Sequence, residues 1–496
     1  MTNAYAVPAI VAVTLVTVVI GAYGLRLARS TSDFLVASRE VSPSWNAAAI
    51  SGEYLSAASF LGVAGLILKY GADVLWYPVG FAAGYLALLL FVAAPLRRSG
   101  AFTLPDFCQL RLGAPWLRKL ATAFVIFIGW LYLVPQLQGA GLTLRSVTGA
   151  HYSLGVLIVA GVVTGNVALG GMRSITYVQA FQYWLKLTAL AVPVMFLLAH
   201  WQRQDRPAIP SPVTWLLPLH GEEHGLFATY SLILATFLGT MGLPHVLVRF
   251  YTNPDGAAAR RTTLVVLGLV GLFYLFPTFY GVLGRLYTPH LVASGETDTV
   301  VLALPGAAIG GLTGEVLGAL VAAGAFAAFL STSSGLLTAV AGVLSTDVLG
   351  RGSVRSFRWS AVVAGAVPAV LALRVDALDV SQVVGLAFAV AASSFCPLLV
   401  LGIWWRGLTD LGAAAGIVVG GGSAVGAVLV TVVGPPLTGW TATLVEQPAA
   451  WTVPLAFTVM VTVSIMSRRR VPAAIGSIML RLHAPDALRA DATTPR

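Results

Sequence analysis

Apolar stretches of membrane length recur along almost the whole chain. The 496-residue sequence contains about thirteen runs of roughly twenty predominantly apolar residues, the length that an α-helix needs to cross a bilayer. Because the hydrocarbon region offers no water to backbone polar groups, such segments fold as helices. The sequence therefore predicts an all-α integral membrane protein in which residues 1–466 form a single transmembrane domain.

Composition and charge agree with a membrane protein and argue against other classes. Hydrophobic residues make up 57% of the chain and charged residues only 10%, whereas about 25% of residues in soluble domains are charged. The net charge of +10 comes largely from arginines in short segments between apolar runs, a pattern typical of membrane topology and not of nucleic-acid binding. Cys108 and Cys396 predict no disulfide framework. Residues 467–496 are basic, then rich in Ala, Asp and Thr, which predicts a disordered tail.

The basic residues also predict an orientation. Arg26 and Arg29 follow the first apolar run and no basic residue precedes it, the reverse of a secretory signal, so we expect a retained helix. Its N-terminus would lie outside the cell, and most other arginines then fall in cytoplasmic segments, as the positive-inside rule requires. An odd number of spans places the C-terminus in the cytoplasm, with the chain in the plasma membrane. The alternative is twelve spans, if the first run were cleaved.

One apolar run is interrupted by small and hydroxylated residues. Residues 51–62 read SGEYLSAASFLG and carry one carboxylate, Glu53. A glycine-broken segment at membrane depth exposes backbone carbonyls, which is tolerated only where the segment lines a cavity. Ionisable groups at that depth usually mark ion or substrate paths. We expect this helix to break at Ser51–Gly52 and to line such a path.

A second run is broken in a corresponding position. Residues 239–245 read GTMGLPH, in which two glycines and Pro244 cannot continue a regular helix. The spacing of the two breaks makes residues about 45–200 and 226–405 candidates for two inverted groups of five spans. Matching interruptions in two halves point to the binding site of a secondary transporter. The alternative is that the glycines only let helices pack closely.

Hydroxyl groups follow one face of the ninth apolar run. Ala328, Ser331 and Thr332 stand at i, i+3 and i+4 and therefore share a helical face. Hydroxyl oxygens suit a hard cation such as sodium, and carbonyls freed near Gly52 would supply further ligands. Alternatively, these hydroxyls bond back to a carbonyl one turn earlier and only help helices to pack.

Longer motifs resemble a known transporter family. SDFLVASREVSPSWNAAAISGEYLSAASFLG, GTMGLPHVLVRFYT, LSTDVLG and GLAFAVAASSFCPLLVLGIWW resemble the sodium:solute symporter family, and in particular its branch for acetate and other short monocarboxylates. The similarity runs from about residue 30 to 430. It implies a leucine-transporter-type fold of two inverted five-helix repeats, with one extra N-terminal and two extra C-terminal helices. It also implies one sodium site.

The resemblance extends to individual residues. The implied sodium ligands are the carbonyls of Gly52, Leu55 and Ala328 and the hydroxyls of Ser331 and Thr332. Candidates for substrate contact near the breaks and on the fourth span are Ser56, Ser59, Gln136, Gly239, Thr240 and Gly242. Two positions depart from the family pattern. Glu53 stands where acetate-like members usually have aspartate, and Gln179 stands where many relatives have an aspartate near the sodium exit.

Two charged side chains inside spans have several interpretations. Glu53 could assist sodium binding, carry a proton, or be a structural carboxylate bonded to nearby groups. Lys186 lies roughly 16 Å along the sixth span. It could neutralise Glu53, attract an anionic substrate, or extend its amine to the membrane surface.

The motifs favour transport over catalysis. The sequence has no HExxH, no phosphate-binding loop ending in GK[ST] and no nucleophile elbow, so we expect no enzyme activity. It predicts a secondary active symporter that couples inward sodium flux to uptake of a short-chain monocarboxylate such as acetate, without a cofactor besides the coupling ion. The expected partners are the small solute, sodium and the lipid bilayer, with no nucleic acid. Alternatives are proline, a sugar, pantothenate or urea as substrate, coupled to sodium or protons, or a passive channel or transporter-like sensor.

Overall fold

The computed structural model describes residues 3–25, 42–211, 213–350, 353–374, 380–435 and 437–484. All regular secondary structure in these residues is helical. The basic residues Arg26, Arg29, Arg39 and Arg351, and those of the tail after residue 484, lie outside the described residues. The orientation that they support therefore stays a prediction.

The first half of the chain contains the first broken helix. Its helices are α1 (Ala6–Leu25), α2 (Pro43–Tyr54), α3 (Val63–Tyr70), α4 (Trp76–Ala87), α5 (Ala93–Ser99), α6 (Leu104–Leu112), α7 (Pro115–Thr148) and α8 (Tyr152–Arg203). Short π-helical segments join α2 to α3 and α4 to α5. The long helix α8 contains two membrane-length spans, Tyr152–Gly170 and Ser174–Arg203.

The second half contains the second broken helix. Its helices are α9 (Gly225–Gly242), α10 (Pro244–Phe250), α11 (Gly256–Tyr287), α12 (His290–Ser294), α13 (Val300–Ala308), α14 (Gly311–Val343), α15 (Val354–Ala372), α16 (Val380–Trp404), α17 (Asp410–Gly416), α18 (Gly422–Val433), α19 (Gly439–Glu446), α20 (Ala449–Met466) and α21 (Ile475–His483).

The predicted all-α multi-pass architecture is confirmed. Among the described residues, 11 helices are long and apolar enough to cross a membrane, and a bent pair of helices raises the number to 12. The remaining predicted span corresponds to α15, which is not among these helices. Its first turns carry Arg355 and Arg358, which make it less apolar than the others.

The first helix break lies beyond its predicted position. Helix α2 continues through Tyr54, and the chain leaves helical geometry at Leu55. The next helical segment, Ala58–Tyr70, is bent by 72° relative to α2. The predicted break at Ser51–Gly52 is therefore wrong. Gly52 lies inside α2, where a Cβ atom would come 2.3 Å from the carbonyl oxygen of Gln179 on α8. This glycine permits close helix packing, and the residues after it form the break.

The second break lies where the sequence predicts it. Helix α9 ends at Gly242, Leu243 is extended, and α10 begins at Pro244. Proline suits a first helical position because it lacks the N–H that would be unpaired there. Gly239 and Gly242 also let α9 approach α16, since Cβ atoms would come 2.6 Å from the Phe388 carbonyl and 2.3 Å from the Ala391 carbonyl.

Two helices form the centre of the bundle. In α14 and in α16, 89% of the apolar window is buried, compared with 28% in α1. Helix α2 packs against α8, α11 and α14, and helix α9 packs against α16 and α4. Each broken helix thus contacts the second helix of the other group, which is the packing that two inverted groups of five helices would produce. Both breaks face the centre.

The tail is partly ordered, contrary to the predicted disorder. Helix α21 lies within it and packs against α5. Its apolar residues Met479 and Leu482 are buried, while Leu480 is 68% exposed. This spacing gives a short amphipathic helix with one face on the bundle, a pattern that composition alone did not reveal.

The close approach of α2 to α8 generates a test. We expect Gly52→Ala to lower the stability of the protein by about 1–3 kcal/mol, because overpacking forces helices apart. The matched control is Gly268→Ala on α11, where an added Cβ would meet no atom within 4 Å. Thermal unfolding of both variants in detergent measures the difference. Equal midpoints would contradict the packing described for Gly52.

Candidate cation and substrate site

Backbone carbonyls of α2 and hydroxyls of α14 meet at the centre of the protein. Ser331 Oγ lies 2.6 Å from the Gly52 carbonyl oxygen and 3.1 Å from the Ala328 carbonyl oxygen. The Thr332 hydroxyl donates a 2.6 Å hydrogen bond to the Glu53 carbonyl. These residues are buried. The predicted ligands on α2 and α14 are therefore neighbours, although the Thr332 hydroxyl is engaged by an adjacent carbonyl.

The ammonium group of Lys186 lies among these oxygens. Its Nζ donates to the Leu55 carbonyl at 2.7 Å, to Ser331 Oγ at 2.9 Å, and to the Gly52 carbonyl. An ammonium has three donors, so these three acceptors use all of them. Lys186 on α8 is 0% exposed, which excludes the interpretation in which it extends to the membrane surface.

The oxygen set does not fit a sodium ion in addition to this lysine. Gly52, Leu55 and Ser331 are three of the five implied sodium ligands, and all three already accept from Lys186. A second cation at the same oxygens would stand beside the ammonium in a low-dielectric interior, where like charges repel strongly. The Lys186 side chain therefore already occupies the point at which these oxygens would coordinate a sodium ion.

Glu53 pairs with an arginine from the second broken helix. Arg249 Nε lies 2.6 Å from Glu53 Oε2, and the two side chains are 1% and 2% exposed. Arg249 also donates to Thr176 Oγ1 at 2.9 Å and to Gln179 Oε1. Gln179 in turn donates to the Ser331 carbonyl at 2.7 Å. The network connects α2, α8, α10 and α14, and Gln179 serves as its neutral bridge.

Sequence reasoning missed Arg249. By its position after an apolar run, Arg249 is one of the arginines that the positive-inside rule places in a cytoplasmic segment. The available signal was Glu53, because a carboxylate at membrane depth needs a cationic partner. The hydrogen-bonded partner of the Glu53 carboxylate is Arg249, whereas Lys186 bonds backbone and hydroxyl oxygens.

The predicted substrate residues lie around the two breaks. Thr240 Oγ1 is 2.7 Å from the Tyr54 hydroxyl, which joins α9 to α2. Ser59 Oγ is 2.8 Å from the Tyr274 hydroxyl on α11. Ser56 lies buried within the first break. Gly239 and Gly242 face α16 and make the close backbone approach described above.

Gln136 has a specific partner in the first break. Its Oε1 accepts a 2.8 Å hydrogen bond from the backbone N–H of Ala57. A helix break at membrane depth leaves backbone groups without intrahelical partners, and a buried unpaired group is costly. Gln136 on α7 therefore stabilises the break, whether or not it also contacts a substrate.

Aromatic rings fill the space between the breaks. Tyr54 lies with its ring centroid 4.6 Å from that of Tyr85, and Tyr132 lies 5.4 Å from His245 and 5.7 Å from Phe388. The Tyr85 hydroxyl and both His245 ring nitrogens are buried and have no hydrogen-bond partner among the described residues. Buried polar groups without a partner require an explanation, and a role in binding a solute is one.

Two cavities outside the breaks are lined in part by polar side chains. One, of about 250 Å³, is lined by residues that include Asp106, Arg118 and Thr338. The other, of about 330 Å³, is lined by residues that include Tyr77 and Glu446. Neither is lined by the residues of the breaks.

Two broken helices that meet at a buried centre with an ion pair are typical of an inverted-repeat membrane transporter. Residues 34–420 match the family described as the sodium:solute symporter family. The chain belongs to this family. Together with its membrane-length helices, the match makes the chain a multi-pass membrane protein of a transporter family whose name refers to sodium-coupled symport.

Individual relatives agree with the family. The chain is 32% identical over 424 residues to an uncharacterized symporter of Bacillus subtilis, YwcA. The alignment covers 82% of this chain and 82% of YwcA. It is 32% identical over 489 residues to a monocarboxylic acid transporter of Corynebacterium glutamicum, covering 86% of that protein with 87% of its own length.

Solved structures support the predicted fold. A Na+-coupled sialic acid symporter in a substrate-bound outward-open state matches with a TM-score of 0.70 at 15% identity, over 92% of this chain and 98% of that one. Mhp1, a nucleobase-cation-symport-1 family transporter, matches with a TM-score of 0.54 at 14% identity, over 90% and 98%. The predicted leucine-transporter-type fold is confirmed.

The buried ion pair generates a test. We expect Glu53→Gln to destabilise the protein by about 3–5 kcal/mol, because it leaves the Arg249 guanidinium buried without a counter-charge. The control is Arg470→Gln, which breaks a pair with Asp410 in which the arginine is 49% exposed, so solvent screens the pair and the unfolding midpoint should change far less. Thermal unfolding of both variants measures the effect. An unfolding midpoint of Glu53→Gln equal to that of the control would show that Glu53 and Arg249 are not an ionised pair.

Proposed function

We propose that this protein is a secondary active symporter that takes up a short-chain monocarboxylate, such as acetate, with a cation. The observation that carries the proposal is the convergence of two broken helices on a buried centre with unpaired hydrogen-bond donors. The family and the Na+-coupled neighbour support symport, and the relative named a monocarboxylic acid transporter supports the substrate class. The direction is inward, with the N-terminus outside and the C-terminus in the cytoplasm.

The chemistry of the central cluster suits a small carboxylic acid. A carboxylate accepts hydrogen bonds, and the Tyr85 hydroxyl and the ring of His245 can donate them. The hydroxyls of Tyr54 and Thr240 lie at the same junction of the two broken helices. The surrounding rings, including Phe81 and Phe388, would contact a short alkyl chain. Such a site needs few polar contacts because the ligand has one polar end.

The packed centre favours a transporter over a passive channel. A channel would need a continuous path, whereas the residues at the two breaks are buried and lie beside packed rings. An anion moved together with one monovalent cation carries no net charge, so a one-to-one cycle would respond to the cation gradient and not to voltage. Each tenfold gradient of such a cation corresponds to about 1.4 kcal/mol.

The substrate class can be tested by competition. We expect purified protein in proteoliposomes to accumulate labelled acetate when a cation gradient is imposed. Unlabelled propionate and pyruvate should compete, because they share the carboxylate and a short chain, whereas proline and glucose should not. Competition by proline or glucose alone would reject the monocarboxylate assignment in favour of another substrate of the family.

The hydroxyl of Tyr85 provides a sharper test. Tyr85→Phe keeps the ring and removes the donor, so we expect the KM for acetate to rise about tenfold, as loss of a hydrogen bond to a charged group predicts. The matched control is Tyr230→Phe, whose side chain is 60% exposed on α9. A KM unchanged in both variants would remove Tyr85 from the substrate site.

A further inference from the structure

The oxygen cluster at the first break requires a buried hydrogen-bond donor or a cation. The Gly52 and Leu55 carbonyls lie at the end of α2, where the helix stops and the following N–H groups are displaced. At membrane depth no bulk water is available to such carbonyls, so a buried donor or cation must satisfy them. Ser331 from α14 contributes a third oxygen directed at the same point. The cluster is built for one positive charge.

Lys186 supplies that charge from a neighbouring helix. It is fully buried, it makes three hydrogen bonds, and each of them is to an oxygen of the cluster. The charged group that acts on it from the packed helices is the Glu53 carboxylate, which is itself paired with Arg249. The tyrosines around it include Tyr183 on its own helix, which donates to the Leu269 carbonyl instead.

We propose that Lys186 is a tethered cation that takes the place of sodium at this site. The wild-type protein then binds no sodium between α2 and α14, although the family relation leads one to expect it there. Any sodium dependence of transport would arise from another site. The inference concerns coupling in the transporter proposed above, but its binding test does not depend on any substrate.

The same oxygens should accept sodium once the ammonium is removed. In Lys186→Ala the carbonyls of Gly52 and Leu55 and the Ser331 hydroxyl lose their shared donor, which leaves buried acceptors unpaired. The volume vacated by the long side chain would admit a sodium ion with water. The variant should therefore convert a sodium-insensitive protein into a sodium-binding one.

Thermal unfolding with sodium as the added ion tests this directly. The unfolding midpoint is measured for purified wild type, Lys186→Ala and the exposed control Lys119→Ala. For each protein, increasing sodium chloride is compared with potassium chloride at the same ionic strength. We expect sodium and potassium to be equivalent for wild type and Lys119→Ala. For Lys186→Ala we expect a lower midpoint in potassium and a saturable recovery in sodium, since a ligand that binds only the folded state stabilises it. Adding Ser331→Ala to Lys186→Ala should abolish the recovery.

The wild-type result decides the proposal even if Lys186→Ala fails to fold. A saturable, sodium-specific stabilisation of wild type that is lost in the double variant Ser331→Ala with Thr332→Ala would overturn it. Lys186→Gln provides a second variant with a neutral side chain of similar reach, and absence of a sodium response in both folded Lys186 variants would also count against the proposal.

An uptake measurement separates this inference from the proposed function. Labelled acetate uptake by wild type should be equal in sodium and in potassium at the same pH gradient, whereas uptake by Lys186→Ala should require sodium. The absence of acetate uptake under all conditions would contradict the proposed substrate. The sodium response in thermal unfolding would still test the role of Lys186. Sodium-dependent uptake by wild type that is lost in the Ser331→Ala and Thr332→Ala double variant would contradict the role of Lys186 as a tethered cation. It would not contradict the monocarboxylate as substrate.

Discussion

The interaction on which the centre of this protein depends is the satisfaction of backbone carbonyls at a helix break inside the membrane. Where α2 ends at Tyr54, the oxygens of Gly52 and Leu55 face the protein interior and not water. Lys186 on α8 and Ser331 on α14 bond these oxygens and so hold three helices together at one point. A bend of 72° in a membrane-spanning helix is tolerated because of these contacts.

A second charged contact joins the two broken helices. Glu53 belongs to the last turn of α2, and Arg249 belongs to α10, directly after the second break. Their ion pair, bridged through Gln179 to the Ser331 carbonyl, links both breaks to the scaffold helices α8 and α14. A movement of either broken helix would have to rearrange this network. The ion pair therefore connects the proposed substrate cluster to the oxygen cluster at Lys186.

The sequence predicted those features that local chemistry determines. Apolar length located the spans, and Pro244 located the second break because proline begins a helix more readily than it continues one. Gly52 misled the prediction of the first break, since a glycine also serves close packing against Gln179, and the two roles cannot be separated without the partner helix. Arg249 and Lys186 were visible as residues, but their partners lie on helices distant in sequence. Only the tertiary structure shows that Arg249 pairs with Glu53 and that Lys186 donates to the oxygen cluster.

The central claim is that the chain's own ammonium, and not a sodium ion, occupies the oxygen cluster at the first break. An electron cryomicroscopy map of the wild-type protein prepared in sodium tests it most directly, at a resolution that separates side chains from bound ions. We expect continuous density from Lys186 to the carbonyls of Gly52 and Leu55, with the same arrangement in potassium. A separate ion peak among Gly52, Leu55, Ala328, Ser331 and Thr332, with the Lys186 side chain directed elsewhere, would contradict it.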